Sequence, residues 1–195
     1  ISAQLFGWRS VEQHLRPWDG SYLMVACNAL GRSDRNVLRQ RERALHMLGF
    51  AELDKDLYVR PNNVEPDVES LRQRLIELGL EPAALVFQAT GFEDTQAQRI
   101  RSLWNGELLN DSYRRHCEQL ESWTLRAEQL KLEAAARESF TLGREAIRQI
   151  VFDPLLPHPL VDVALRTEFL ACTQRFVDHG HRIWRTFLQQ PSSPN

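Results

Sequence analysis

Lysine is almost absent from this chain. Lys55 and Lys131 are its only lysines among 24 Lys plus Arg in 195 residues. Arginine therefore carries the positive charge, and its planar fork suits carboxylates and phosphates better than a point-like ammonium does. A GC-rich genome would give the same bias. Cysteine is scarce too: Cys27, Cys117 and Cys172 stand far apart and odd in number. No CxxC and no Cys/His ligand spacing occurs, so neither a disulfide framework nor a zinc site is indicated, and no metal or cofactor is expected. Unpaired cysteines fit a reducing compartment, and a cytoplasmic protein is the expectation. No apolar run reaches the ~18 residues of a membrane span, and no signal peptide opens the chain. There is no GxSxG, no phosphate-binding glycine loop and no HExxH, so no enzymatic activity is expected. Net charge is −2, which excludes a chain that binds nucleic acid by bulk charge alone.

What is present divides the chain into parts. Residues 1–19 read as a lead-in, closed by the punctuation Pro17-Trp18-Asp19-Gly20. From Tyr22 to Leu30 a short apolar run between Gly20 and Gly31 reads as a buried strand. Ser33 is the candidate N-cap of the next helix, with Asp34 in its first turn and Gly49 at its end. Phe50–Leu53 and Leu57–Arg60 flank Asp54-Lys55-Asp56 as a hairpin. A second helix begins near Pro66 and stops at Gly79, with Val68, Leu71, Leu75 and Leu78 in its stripe. A last strand covers Ala83–Gln88. The order β-α-β-β-α-β predicts an α+β, ferredoxin-like domain over 20–93.

An all-α domain is predicted over 94–195. Helices are expected at about 94–104, after Asn110 or Asp111, at about 136–152 with Phe140, Ile147 and Ile150 apolar, and through Leu165, Phe169, Cys172, Phe176, Ile183 and Phe187. The prolines of 153–159 must interrupt the helices. The tail 190–195 is expected to fray.

Candidate functional residues are few. His14, His46, His116, His158, His179 and His181 do not cluster in sequence. His179 and His181 could pair on a metal only if the chain kinks at Gly180; surface histidines are the commoner outcome. His116 and Cys117, as helix neighbours, diverge. Arg32, Arg35, Arg39 and Arg43 form a stripe that could meet phosphates or simply be a solvated face. Arg41 lies near the apolar side and either snorkels or pairs with a buried acid. The five tryptophans, at 8, 18, 104, 123 and 184, can fill cores, line an aryl pocket or build an interface.

Several stretches, taken in order, resemble one family. They are Trp18-Asp19-Gly20-Ser21-Tyr22-Leu23-Met24-Val25, the helix and hairpin from Arg39 to Pro61 containing Leu48-Gly49-Phe50, and Ile150-Val151-Phe152-Asp153-Pro154-Leu155-Leu156-Pro157. Together they are similar to the PaaX family of bacterial repressors of phenylacetate catabolism, over about residues 15–190. The family pattern favours Gly where Ala51 stands, and a Trp-Pro-Gly segment that residues 158–166 lack. The resemblance implies a middle ferredoxin-like domain, a helical C-terminal domain, and an N-terminal winged helix that would precede Ile1 and bind operator DNA. It implies a homodimer that responds to an aryl-acyl-CoA such as phenylacetyl-CoA. For such an effector, Arg114, Arg115, Arg144 and Arg148 are candidate phosphate contacts and Trp104 and Trp184 candidate acyl contacts. Arg35, Arg39 and Arg43 are candidate auxiliary DNA contacts. The alternatives are an interaction scaffold without a sensor, or a metal-dependent nuclease. The latter would need acidic residues at the end of the first strand, which closes instead with Cys27-Asn28-Ala29-Leu30 and no carboxylate.

Overall fold

The computed structural model describes residues 15–189, which form two compact units. The lead-in reading of residues 1–14, with Trp8 and His14, and the fraying tail 190–195 lie outside the described residues. In chain order the elements of the first unit are β1 (Tyr22–Ala26), α1 (Arg35–Met47), β2 (Ala51–Asp54), β3 (Leu57–Pro61), α2 (Val68–Leu78), β4 (Leu85–Ala89) and α3 (Asp94–Arg101). Then follow α4 (Gly106–Arg126), a short 3-10 turn at Ala127–Gln129, α5 (Leu132–Val151) and α6 (Val163–Gln189).

The four strands form one antiparallel sheet in the order β2-β3-β1-β4. β3 lies between β1 and β2, as the split β-α-β arrangement requires. Side chains alternate across the sheet. Leu23, Val25 and Val86 face α1 and α2, where they meet Ala44, Leu45, Leu71 and Leu75. Tyr22, Met24 and Val59 face the other way. That second face is closed by Ile100 of α3, with Trp18, Phe92 and Trp104 packed around it. Residues 94–107 therefore cluster with the sheet, as do 152–163, whereas the sequence reading starts the helical domain at 94. An open apolar sheet face recruits the next amphipathic segment, which strand counting does not anticipate.

Local chemistry fixes the element ends. Asp34, not Ser33, caps α1: its carboxylate accepts from Asn36 N at 2.8 Å and Val37 N at 3.3 Å. At the far end Phe50 N donates to Leu45 O and Gly49 N to His46 O, the paired bonds of a Schellman stop, with Gly49 at φ 72. Asp67 caps α2, and Gly79 ends it at φ 112. α4 begins at Gly106, a turn before the expected cap at Asn110 or Asp111. α5 begins at Leu132, a turn before the expected 136.

Arg41 pairs with an acid rather than snorkelling. It is almost fully buried, and its fork holds both Glu81 oxygens while Nη2 also donates to Gly31 O at 2.9 Å. A fork of this kind is stronger than a single contact. Arg60 is also buried, and the acceptors of its hydrogen bonds are carbonyl oxygens. It donates to Leu48 O at the C-terminus of α1, to Pro61 O at 3.1 Å and to Asn63 Oδ1 at 3.2 Å. Its guanidinium also lies 5.9 Å from the centre of the Phe50 ring. Burial pushes its pKa down to about 10, so it stays charged at neutral pH. The carbonyl dipole at the end of α1 partly offsets the cost of burying it.

The segment after α5 docks on this same corner. Asp153 accepts from Leu155 N at 2.8 Å, and Leu155 O accepts from Asn63 Nδ2 at 2.8 Å. A Cβ on Gly49 would meet Pro154 O at 2.6 Å. At Gly106 a Cβ would come within 1.9 Å of Leu160 O. Both glycines thus leave room for the returning chain.

In the second unit the helices pack through small residues. Ala135, Ala136, Ser139, Gly143 and Ala146 form the buried face of α5. A Cβ at Gly143 would touch Phe176, and one at Gly180 would touch Ser139, so α5 and α6 approach closely. Trp123 of α4 is 1% exposed and meets Phe176 edge-on. Phe140, one of the apolar residues of α5, is 60% exposed. The narrow contact face of α5 is filled by small residues instead. No helix among the described residues is long and apolar enough to cross a membrane.

Two outcomes follow from these contacts. Gly49→Ala should lose about 2 kcal/mol or more, from a strained positive φ plus the clash with Pro154, measured by urea unfolding. The second concerns Glu81, whose carboxyl is held below its ordinary pKa by the hydrogen bond from Arg41. A depressed folded-state pKa adds stability above the unfolded value of about 4.3, and that stability is lost as pH falls through the folded value. Glu81→Gln should therefore be less stable than the parent at pH 7, and the two should converge in acid. A gap that does not narrow below about pH 4 would rule this linkage out.

Candidate functional site

The helical unit carries a groove between α4 and α6 of about 650 Å³. Leu120, Thr124 and Leu125 line one side and Cys172, Arg175, Phe176, His179 and Arg182 the other, with Glu121 and Asp178 at the rim. The geometry follows from helical spacing. Arg175, His179 and Arg182 stand at i, i+4 and i+7 on α6 and share a face. Phe176 and His179 rest against Trp123, at ring-centre distances of 5.1 and 6.2 Å. The Trp123 indole N–H donates to Glu138 at 2.9 Å, which holds the ring in place. Apolar surface lies at the base and cationic forks lie at the edge.

The charges are partly engaged. Arg175 Nη2 lies 3.0 Å from Glu168 and 3.4 Å from Glu121. Arg182 Nη2 lies 3.2 Å from His179 Nδ1. Cys172 Sγ donates to Cys117 O at 3.5 Å, and Cys117 Sγ lies 3.9 Å from Glu121. Burial raises the pKa of both thiols, and that of Cys27 to about 11. None of the three is a ready thiolate nucleophile at neutral pH.

The residues singled out from sequence are scattered differently. Arg114 is exposed and pairs with Asp111 at 2.7 Å. Arg115 is exposed on the same helix, and Arg144 and Arg148 are exposed on α5. Trp184 meets Phe140 and Phe187 edge-on at 6.4 and 5.7 Å. Arg144 stands one turn beyond Phe140, so Trp184 and Arg144 neighbour the same aromatic position. Trp104 belongs to the sheet unit and packs there against the Tyr22 face. Arg35, Arg39 and Arg43 share an exposed face of α1, while Arg32 pairs with Asp56. α6 runs unbroken through Gly180, so His179 faces the groove and His181 is exposed. His116 turns back to Ser112 O at 2.8 Å, apart from the Cys117 thiol. Sequence reasoning missed Glu121, Arg175 and Arg182. The i, i+4, i+7 pattern of Arg175, His179 and Arg182 was the available signal.

Comparison with known proteins joins these observations to the motifs. Residues 15–100 match the family model described as the PaaX protein central Cas2-like domain. Residues 104–186 match the PaaX-like protein C-terminal domain. The chain belongs to the PaaX family, as a stretch covering its middle and C-terminal domains. Membership places it among PaaX-like regulators. Among solved structures it is similar to the uncharacterized protein Rv0674 from Mycobacterium tuberculosis, at 16% identity and a TM-score of 0.61. That likeness covers 94% of this chain and 70% of the other, and it concerns the fold alone. No curated protein matches the chain.

The PaaX motifs prove to be scaffold. Asp19 accepts from Ser21 N and Oγ in the turn before β1, and Asn62 ties that turn to β3 through Ser21. Gly49 and the 153–157 segment meet each other. Trp123→Phe tests the groove's support. Loss of the indole bond and part of the ring should cost about 1–3 kcal/mol in denaturant unfolding. A change within about 0.5 kcal/mol would mean that Glu138 does not hold the ring.

Proposed function

We propose that this chain is the effector-sensing and dimerising part of a PaaX-like repressor of aromatic-acid catabolism, answering to an aryl-acyl-CoA of the phenylacetyl-CoA type. The observation that carries this reading is the α4–α6 groove, where an apolar base over Trp123 adjoins Arg175, His179 and Arg182. An acyl-CoA joins an apolar acyl end to a polyanionic nucleotide end, and planar guanidinium forks suit its phosphates. Trp184 with Arg144, and Arg114, Arg115 and Arg148, are further candidate contacts of the same unit. In this reading the protein acts in the cytoplasm as a homodimer, with operator DNA met through a winged helix. Arg35, Arg39 and Arg43 would supply auxiliary phosphate contacts.

A second reading, metal-dependent cleavage of nucleic acid, draws on the Cas2-like middle domain. β1 runs into Cys27, not a carboxylate. Asp56, whose carbonyl accepts from Cys27 N at 2.8 Å, has its carboxylate paired with Arg32. That pairing argues against metal-held water there.

Calorimetric titration with phenylacetyl-CoA and a series of related acyl-CoAs tests the sensor. Saturable heat is expected, weakened about tenfold or more by Arg182→Ala, the loss of a single charge-assisted contact. No heat across the series would overturn the effector reading. Sedimentation showing a monomer at micromolar concentration would overturn the dimer. Cleavage of RNA or DNA with magnesium or manganese would favour the second reading.

A further inference from the structure

The two cysteines of the helical unit meet in space although 55 positions separate them. Cys117 and Glu121 stand at i, i+4 on α4, and Glu168 and Cys172 at i, i+4 on α6. Each pair therefore shares a face of its helix. The packing brings the faces together. One ligand atom each from Cys117, Glu121 and Cys172 lies within 4.8 Å of the others. Two thiolates on a tetrahedral zinc, at roughly 2.3 Å from the metal, sit roughly 3.8 Å apart. With every separation inside 4.8 Å, at most about 1 Å of closure is needed, which side-chain rotation supplies without moving a helix.

The surroundings already accommodate positive charge. Arg175 bridges Glu121 and Glu168 from the solvent side, and its side chain is 58% exposed. It can swing into water when a cation takes its place, leaving no buried charge unpaired. Glu121 is exposed, and it and Cys172 both border the groove, which brings an ion to that side of the cluster.

We propose that Cys117, Glu121 and Cys172 form a binding site for a thiophilic, tetrahedral divalent cation of the zinc class, with solvent as fourth ligand once Arg175 withdraws. Two sulfurs select against magnesium and calcium, which take oxygen ligands. The bland reading is that both thiols are small apolar fillers of a helix contact. It predicts no metal affinity at all, so the two readings separate cleanly. The site shares the wall of the proposed effector groove but needs no effector, and it is tested with metal alone.

Cobalt(II) added to the reduced, metal-free chain serves as the optical probe. One ion per chain should bind with thiolate-to-cobalt charge-transfer absorption, and zinc should displace it. Zinc should also raise the melting temperature, since it binds the folded chain. Cys117→Ser and Cys172→Ser should each abolish the absorption and the melting shift, while Cys27→Ser keeps both. Glu121→Gln, at an exposed position that does not threaten folding, should weaken zinc about tenfold or more. Arg175→Gln should strengthen it by removing a competing cation. No charge-transfer band, or a band that survives both serine variants, would overturn the site, and so would unchanged zinc affinity in Glu121→Gln. Failure of acyl-CoA to bind would leave these results untouched.

Discussion

The corner where α1 ends is the constraint on which the sheet unit depends. A buried guanidinium, Arg60, sits there among carbonyl oxygens rather than against an acid. Such a group is tolerable only where many oxygens converge. The Schellman turn at Gly49 leaves Leu48 O facing it. Asn63 passes the network on to Leu155. Pro154 lies so close to Gly49 that no side chain fits between them. The chain that left for α4 and α5 is thereby called back to the sheet.

This arrangement explains why the family's motifs are where they are. Trp-Asp-Gly makes a turn whose carboxylate is consumed by Ser21, and whose Trp18 indole donates to Ser21 O at 2.6 Å. Leu-Gly-Phe makes a helix stop, and Asp-Pro-Leu-Leu-Pro makes a docking segment. Each is bound to its neighbours by local hydrogen bonds. Their side chains are spent on the scaffold. In the helical unit the close α5–α6 contact is made by small residues, and the larger side chains of α4 and α6 border a groove.

Much of the fold was legible. Helix stops at Gly49 and Gly79, the hairpin around Lys55 and the stripe Val68, Leu71, Leu75 and Leu78 follow from short-range rules. Errors cluster where two local signals competed. Ser33 and Asp34 are both good caps, and the ionised group at Asp34 took the role. At Asn110 a plausible cap was overridden by a helix that starts where Gly106 lets Leu160 approach. The site was far less legible. Arg114, Arg115, Arg144 and Arg148 attract notice as charges, yet nothing local says which helix face meets another helix.

Sequence alone determined the order of elements, the family and the absence of familiar catalytic motifs, because those rest on spacing within a few residues. The near absence of lysine marked arginine as the cation of any site without choosing which arginine. Tertiary structure decided that choice. Arg41 found Glu81 across 40 residues, Arg60 found a helix end, and Arg175 came to stand between two carboxylates beside two thiols. Cysteine spacing pointed away from a metal, and only the packing of α4 on α6 put Cys117 beside Cys172. Contacts of that kind depend on which faces two helices bury against each other, and that is set by the whole core at once.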